Sequence, residues 1–261
     1  MPRTPAESPA DDTSRADVGL VCALSMELNY FFDRCEKVRT LSGAGFRFRG
    51  GRLNGIRVAS VESGAGMKKA ARAACALIDG HAPAWIIACG FAGALRAGVK
   101  IGDIVVSESV TTPLGAAITT PHGMSSDPSN GLHVGRVLTA DKIVRLVKDK
   151  QALAHQFDAI ACDMESYAVA EVCRDAKTPF MIVRSVTDDL SADLPAEVHA
   201  LLASTGAGRL GATVGALWNR PESVKDLWKL REHATVAARR LAPFLASVVE
   251  QLHAAKAGQR V

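Results

Sequence analysis

Short, continuous apolar segments that alternate with longer helical patterns constrain this chain more than any other feature of its sequence. Residues 18–24 (VGLVCAL), 85–89 (WIIAC) and 180–186 (FMIVRSV) are almost entirely apolar, which is typical of strands buried on both faces of a sheet. Segments such as the Ala-rich residues 67–78 separate them and predict helices. Because parallel strands need crossover connections, the alternation predicts an α/β fold with a mostly parallel sheet.

Turn and loop signals organise the chain between these strands. RLNG at residues 52–55 contains an Asn-Gly pair, which favours a hairpin turn between two strands. Gly80 is expected to end the helix that begins at Met67. Residues 111–130 are rich in Thr, Pro, Gly, Ser and Asp, so they predict a long loop or a lid. The other predicted strands cover residues 46–50, 56–61, 104–110 and 158–161, and another predicted helix covers residues 164–176.

The length of 261 residues suits one large domain. Residues 1–16 are polar and lack the apolar core of a signal peptide, so we expect a disordered N-terminal tail. Residues 17–216 would form the α/β domain, and residues 217–261 a helical C-terminal extension packed on it, divided by Pro221 and Pro243. An amphipathic surface for a membrane or a partner is the alternative interpretation of this extension.

Charge, cysteine spacing and motifs exclude several classes of protein. The net charge is +4, from 31 Lys and Arg against 27 Asp and Glu, without the concentrated basic surface of a nucleic-acid binder. The six cysteines contain no CxxC pair and predict reduced thiols in a cytoplasmic protein. P-loop, HExxH and GxSxG motifs are absent, and no apolar run reaches roughly 18 residues. The sequence therefore gives no support for nucleic-acid binding, for a CxxC zinc site or for Ser-His-Asp hydrolysis.

Three acidic residues lie at or just beyond the carboxyl ends of predicted strands. Glu27 follows the first strand, Glu165 begins the helix after residues 158–161, and Asp188 ends the strand VRSVTD. Ligands of open α/β sheets bind outside the carboxyl ends of the strands, so these side chains are candidates for one site. Helix capping or exposure to solvent would also explain each of them alone. Their recurrence at one topological position favours a functional role.

Five segments resemble the nucleoside phosphorylase and nucleosidase superfamily. IIACGFAGALRAGVKIGDIVVSES looks like its glycine-rich strand and turn with the strand that follows, and ACDMESYAVAEVC looks like its Met-Glu helix start. VRSVTDD resembles its terminal Asp strand, and SGAG a turn of small residues that opens a helix. VGLVCALSMELNYF is similar to the start of methylthioadenosine/adenosylhomocysteine nucleosidases. These segments follow one another in order from about residue 18 to residue 190.

The resemblance implies a fold and an activity. The fold would be a three-layer α/β/α arrangement with a central mixed twisted sheet and a helical C-terminal extension. The activity would be cleavage of the N-glycosidic bond of a purine nucleoside, with adenine as the expected base. No metal or organic cofactor is implied, and members of the superfamily are commonly homo-oligomers.

The resemblance also implies roles for individual residues. Glu27 would orient or deprotonate the attacking water, and Asp188 would donate to the purine N7 so that the base can leave. Glu165 would accept hydrogen bonds from the 2′- and 3′-hydroxyls of the ribose. Ala92 and Gly93 would bring backbone close to the base, because small residues permit such an approach.

Three further positions bear on the substrate. Met164 would pack under the ribose, with plain core packing as the alternative. Phe91 stands where phosphorylases of the superfamily usually carry Ser to help hold phosphate, so it favours water as the nucleophile. Ile143 occupies the place where nucleosidases often stack an aromatic residue on the base. Arg184 lies four residues before Asp188, where strand alternation predicts either a charge support for that acid or a structural ion pair.

Two alternatives to a nucleoside hydrolase stay open. A phosphate-dependent phosphorylase would need a rebuilt phosphate site, for which the candidates are Arg34, Arg47, Arg49 and Arg72. The C-terminal extension resembles the hopanoid-associated phosphorylase branch, which is associated with the release of adenine from an adenosylated lipid, and such a substrate would bring membrane contact. The second alternative is a non-catalytic binder of nucleosides or lipids.

Overall fold

The apolar segments form one mixed sheet in the computed structural model, which describes residues 15–121, 123–196, 198 and 221–258. β1 is buried along its whole length, whereas β2 is exposed along its whole length and therefore carries no apolar run that would predict it. The ten strands are β1 (Val18–Cys22), β2 (Glu36–Gly43), β3 (Phe46–Leu53), β4 (Ile56–Glu62), β5 (Trp85–Ala94), β6 (Ile104–Thr111), β7 (Ile118–Thr119), β8 (Leu132–Thr139), β9 (Ala161–Asp163) and β10 (Phe180–Asp188).

β1 lies at the centre of the sheet, parallel to β4 on one side and to β5 on the other. β5 also pairs in parallel with β10, and its last two residues pair with β9 in the antiparallel sense. Since β6 and β8 connect β10 back to β9, these five strands close into a ring. The carboxyl ends of β1, β4, β5 and β10 consequently meet at one edge of the sheet.

Helices cover both faces of this sheet. They are α1 (Ser25–Phe32), α2 (Met67–His81), α3 (Val147–Phe157), α4 (Ser166–Asp175) and α5 (Pro221–Gly258). On one face α2 and α4 pack through small side chains such as Ala74 and Ala170, and on the other α1 and α5 pack through side chains such as Phe31, Leu241 and Leu245. The predicted three-layer arrangement around a mixed sheet is confirmed.

The predicted hairpin is present between β3 and β4, with Asn54 and Gly55 at φ values of 48° and 83° in its turn. The prediction that Gly80 ends α2 is wrong, because the helix continues to His81 and left-handed Ala82 terminates it. The strand predicted at residues 158–161 begins at residue 161, since left-handed Asp158 ends α3 just before it.

The described part of the C-terminal extension, Pro221–Gly258, forms one helix rather than two pieces. α5 runs through Pro243, so the prediction that this proline divides it is wrong. Leu241 and Leu245 are buried on either side of the proline, and this packing sustains the helix although one backbone hydrogen bond is lost. The predicted helical residues 199–220 lie outside the described part of the chain. No described helix has both the length and the apolar content to cross a membrane.

The predicted loop at residues 111–130 contains little regular structure, namely β7 and a 3₁₀ turn at Pro128–Asn130. His122 within it lies outside the described residues, as do residues 1–14 of the predicted tail. Ala16 is buried, and its N–H donates to the carbonyl of His81. The folded chain therefore includes a residue that the sequence assigned to the tail.

Candidate active site

Glu27 lies in the first turn of α1, beyond the carboxyl end of β1. Its Oε2 accepts hydrogen bonds from the backbone N–H groups of Ala23 and Leu24, each at 2.8 Å. Its Oε1 accepts a hydrogen bond from the backbone N–H of Phe91 at 2.9 Å. One buried carboxylate therefore joins the turn after β1 to the glycine-rich end of β5.

Burial raises the pKa of Glu27, against the opposing effects of the hydrogen bond from Leu24 and the charge of Arg184. A carboxylate with a raised pKa accepts a proton more readily near neutral pH than an exposed one does. Gly90 provides the space for this arrangement, because a methyl group added there would lie 2.6 Å from Oε1 of Glu27 and 2.7 Å from Nη1 of Arg184. The raised pKa of Glu27 is thus an effect of its burial, and its role as the base that accepts a proton from water stays a prediction.

Glu165 approaches Glu27 from β9. This short strand runs back along β5, with Cys162 opposite Gly93, so the chain that follows returns towards Gly90. Glu165 is the residue that caps α4, and its Oε1 accepts a hydrogen bond of 2.8 Å from the N–H of Gly66. This hydrogen bond holds the SGAG turn, which follows β4, next to the side chain of Glu165.

A buried ion pair lies next to these two carboxylates. Nε of Arg184 is 2.7 Å from Oδ2 of Asp163, and the two side chains are 1% and 0% exposed. Asp163 also accepts hydrogen bonds from the hydroxyls of Thr139 and Ser166, and Ser166 accepts from Arg184. Burial raises the pKa of Glu165 to about 7 against the opposing charge of Arg184, and the negative charge of Asp163 adds to the increase.

The expectation that Arg184 and Asp188 share one face of a regular strand is wrong. Arg184 lies opposite Gly90, but the register of β10 shifts after Val186, so that Asp188 lies opposite Gly93. A bulge of this kind interrupts the alternation of side chains and redirects those beyond it. Of the two alternatives for Arg184, the structure shows the ion pair, with Asp163 as the partner.

Asp188 ends β10 and contacts α3. Its Oδ2 lies 2.5 Å from Nζ of Lys150, and the side chains of Lys150 and Asp188 are 0% and 15% exposed. Its Oδ1 accepts a hydrogen bond of 3.0 Å from the hydroxyl of Thr187. A methyl group on Gly93 would lie 2.7 Å from Oδ2, so the absence of a side chain there lets Asp188 close against β5.

The other predicted site residues lie on β5, next to Glu165, or in the segment before α3. The carbonyl of Ala92 accepts a hydrogen bond of 3.4 Å from the hydroxyl of Thr187. Phe91 and Met164 are half-buried, and each is next in sequence to a residue of the cluster. Ile143 is half-buried in the segment between β8 and α3. The roles of these residues towards a substrate stay predictions.

Sequence reasoning missed Lys150, Asp163 and the N–H of Gly66. Asp163 stands directly before the Met-Glu pair, and its position at the end of a strand could have drawn attention to it. Lys150 gave no such signal, because α3 was not predicted and its buried side chains are recognisable only once the helix is placed. On that helix Lys150 and Ala154 are buried, one turn apart.

No group of three or more His, Cys, Asp or Glu side chains in the described ranges could hold a metal ion. An apolar cavity of about 290 Å³ is lined by Trp85, Met181, Val248 and Leu252, among others. Trp85 begins β5, and Phe91 lies six residues further along, roughly 20 Å away at a rise of about 3.3 Å per residue. This cavity is therefore separate from the carboxylate cluster.

Comparison with known proteins identifies the family. Residues 17–131 and 125–213 match the family model described as the phosphorylase superfamily. A 5′-methylthioadenosine/S-adenosylhomocysteine nucleosidase from Hydrogenovibrio crunogenus is 30% identical over 196 residues. These residues cover 66% of this chain and 84% of that protein. The resemblance found in the sequence is confirmed at the level of the superfamily, and the likeness to its hopanoid-associated branch stays a prediction.

Solved structures from Helicobacter pylori share the fold. One is a mutant of 5′-methylthioadenosine/S-adenosylhomocysteine nucleosidase with 5′-methylthioadenosine in its active site, at a TM-score of 0.69 and 18% identity over 90% of this chain and 99% of that chain. The other is futalosine hydrolase in its native form, also at 0.69 and 18%, over 90% of this chain and 98% of that chain. Identity this low shows the fold alone. The family model and the curated relative establish that the chain belongs to the phosphorylase superfamily.

Proposed function

We propose that this protein hydrolyses the N-glycosidic bond of a purine nucleoside, with adenine as the expected base. The observation that carries the proposal is the convergence of Glu27, Glu165 and Asp188 at one edge of the sheet, each in a different environment. Carboxylates in distinct environments can divide acid, base and binding roles among themselves. The nucleosidase and the hydrolase named above support the same reaction class.

Cleavage of this bond makes three demands, and the cluster offers a group for each. The ribose acquires positive charge, which the negative charge of Glu27 and Glu165 would stabilise. The purine must gain a proton or a hydrogen bond at N7, which Asp188 would supply. Water must attack the anomeric carbon, and Glu27 would take its proton. Glu165 would also accept hydrogen bonds from the ribose hydroxyls, with Met164 beneath the ring.

Water, rather than phosphate, is the nucleophile in this proposal. The N–H of Phe91 already donates to Glu27, and two buried carboxylates nearby would repel a phosphate anion. Three of the four candidate arginines have other contacts, and the fourth, Arg34, is exposed in the turn after α1. Arg47 and Arg49 donate to the hydroxyl and the carbonyl of Ser25, at 3.4 and 3.0 Å, and Arg72 lies over the ring of Phe46.

The test is adenine release from 5′-methylthioadenosine, S-adenosylhomocysteine and adenosine, each with and without millimolar phosphate. We expect equal release in both conditions, with free ribose or its 5′-substituted form as the other product. Release that requires phosphate and yields a ribose 1-phosphate would show a phosphorylase instead. Loss of most activity in D188N, with KM changed less than kcat, would tie the release to this site.

The proposal has three further parts. They are the 5′-substituent of the substrate, the oligomeric state of the protein and its location in the cell. We expect a homo-oligomer, which light scattering after size-exclusion chromatography would detect, and a cytoplasmic location, which cell fractionation would test. An adenosylated lipid in vesicles belongs in the substrate panel, because a lipid-linked substrate stays a prediction. No release from any of these compounds would favour a non-catalytic binder, and calorimetry with the same compounds would then test binding.

A further inference from the structure

Lys150 is a charged residue whose side chain is buried, although most of the helix to which it belongs, α3, is exposed or half-buried. Its side chain is 0% exposed, and Nζ contacts Oδ2 of Asp188 at 2.5 Å and the carbonyl oxygen of Asp189 at 3.1 Å. Moving an ammonium group out of water carries a large energetic cost unless a close partner compensates for it. The contact with Asp188 therefore accounts for the position of Lys150, and it ties this lysine to a proposed substrate-binding carboxylate.

The ammonium of Lys150 is the main electrostatic contact of the Asp188 carboxylate. Cys162 of β9 lies near both Asp188 and Lys150, and burial raises the pKa of its thiol to about 12, so that it stays neutral. Asp163 on the same strand is committed to Arg184. β5 contributes the uncharged Gly93 at this point. The ammonium of Lys150, 2.5 Å from Oδ2, is therefore the charged group that Asp188 contacts directly.

We propose that Lys150 and Asp188 act as one acid, in which Lys150 holds the transferable proton and Asp188 presents a carboxylate to the purine. This inference rests on the proposed function and gives a physical reason for its preference for a 6-aminopurine. N7 and the 6-substituent share one edge of a purine, and that edge carries an N–H donor in adenine but two acceptors in a 6-oxopurine. A carboxylate accepts a hydrogen bond from the 6-amino group and repels a 6-oxo oxygen.

The proton moves as the base departs. The bond between C1′ and N9 breaks, and its electron pair passes into the purine, which makes N7 more basic. One N–H bond of Lys150 breaks, the proton passes through the carboxyl group of Asp188, and an N–H bond forms at N7. Lys150 is left as a neutral amine that is hydrogen-bonded to the carboxylate of Asp188. Solvent returns a proton to Lys150 after the base has left.

The test is a ratio measured within each enzyme variant, namely kcat/KM for 5′-methylthioadenosine divided by kcat/KM for 5′-methylthioinosine, its 6-oxo counterpart. In K150M, the carboxyl group of Asp188 loses the ammonium that balances its charge and supplies the proton, so its discrimination against a 6-oxo group should weaken. We expect the ratio to fall by about 10- to 100-fold, the range for one hydrogen bond to a charged group. K150R keeps the charge and should keep the ratio to within about threefold, a margin of well under 1 kcal/mol.

A purely structural role for Lys150 gives a different result, because a distorted site slows both substrates and leaves their ratio unchanged in K150M. That outcome, or a wild-type preference for the 6-oxo substrate, would overturn the inference while the proposed function stands. If the wild-type protein cleaves neither substrate, the proposed function fails and this inference fails with it.

A double variant covers the case in which K150M does not fold, because K150M/D188N leaves no unpaired charge in the interior. Lys150 can act on the base only through a carboxyl group at position 188. The ratio in K150M/D188N should therefore equal that in D188N to within about threefold. A further fall of about tenfold or more on adding K150M to D188N would show that Lys150 acts independently of Asp188, and would overturn the inference.

Discussion

Nε of Arg184 lies 2.7 Å from Oδ2 of Asp163, and neither side chain is appreciably exposed. The positive charge of Arg184 also acts on Glu27 and Glu165, where it opposes the rise in pKa that burial causes. One guanidinium thus lies near the carboxylates of Asp163, Glu27 and Glu165. When all three are ionised, this part of the site therefore carries a net negative charge. Such a charge favours the positive charge that develops on a ribose ring when its glycosidic bond stretches.

Removing one partner of this pair should be costly. In D163N the guanidinium of Arg184 stays buried without its closest carboxylate, so we expect the free energy of unfolding to fall by about 3 kcal/mol. Urea unfolding measures the change. D158N is the matched control, because it breaks the ion pair between Arg96 and Asp158, whose side chains are 46% and 76% exposed. An exposed pair should be worth less than about 1 kcal/mol, and equal losses in the two variants would contradict the prediction.

Glu27→Gln should abolish most of the hydrolysis. The amide keeps the shape of the side chain but cannot accept a proton from water, so kcat should fall by about 10²- to 10⁴-fold with a smaller change in KM. Steady-state kinetics with 5′-methylthioadenosine gives both constants. E250Q on α5 is a control of the same chemical type at an exposed position, and its kcat should match the wild type. Full activity of E27Q would assign the base to another residue.

Glu165 should make stability depend on pH in a defined direction. Its pKa is about 7 in the folded protein against an ordinary value of 4.5, so between these values the folded state keeps a proton that the unfolded state has lost. The favourable contribution of Glu165 is therefore complete below about pH 4.5 and disappears as the pH rises through about 7. At ~1.4 kcal/mol per pKa unit, the loss amounts to about 3 kcal/mol.

Glu165→Gln tests this dependence, since the amide is uncharged at every pH and can still accept the hydrogen bond from Gly66. We expect E165Q to gain stability over the wild type as the pH rises from about 5 to about 8, by about 3 kcal/mol in all. Urea unfolding across this range supplies the difference. Parallel pH profiles for the two proteins would show that Glu165 ionises as an ordinary glutamate.

Gly93→Ala should misplace Asp188. The added methyl group would lie 2.7 Å from Oδ2 of Asp188, so either the side chain or β5 must shift. A displacement of about 1 Å in an active site can lower the rate by about 10²-fold, and we expect a loss of that order in kcat/KM. G80A is the control, because a methyl group at Gly80 meets no atom within 4 Å. It should leave activity unchanged and stabilise α2 by about 1 kcal/mol, so similar kinetics in both variants would contradict the prediction.

The sequence by itself determined the central strands and the acids that follow them. Strands buried on both faces are mostly apolar along their length, and this local property is visible in β1, in β5 and in the first half of β10. Glu27 and Asp188 stand at the carboxyl ends of such strands, so their convergence follows from the parallel arrangement alone. The order of these motifs also sufficed to identify the superfamily, which the family model and the curated relative confirm.

The tertiary structure alone decided which charges meet. In the sequence a buried Lys150 cannot be told from an exposed lysine, because its partner Asp188 is 38 residues away and meets it only when the fold brings α3 to the carboxyl end of β10. The register shift after Val186 likewise puts Arg184 and Asp188 on different faces of β10, and no local pattern in VRSVTDD predicts this shift. The energy of an ion pair depends on distance and burial, and the packing of the whole chain sets both. Apolar periodicity, in contrast, is a property of each sequence segment by itself.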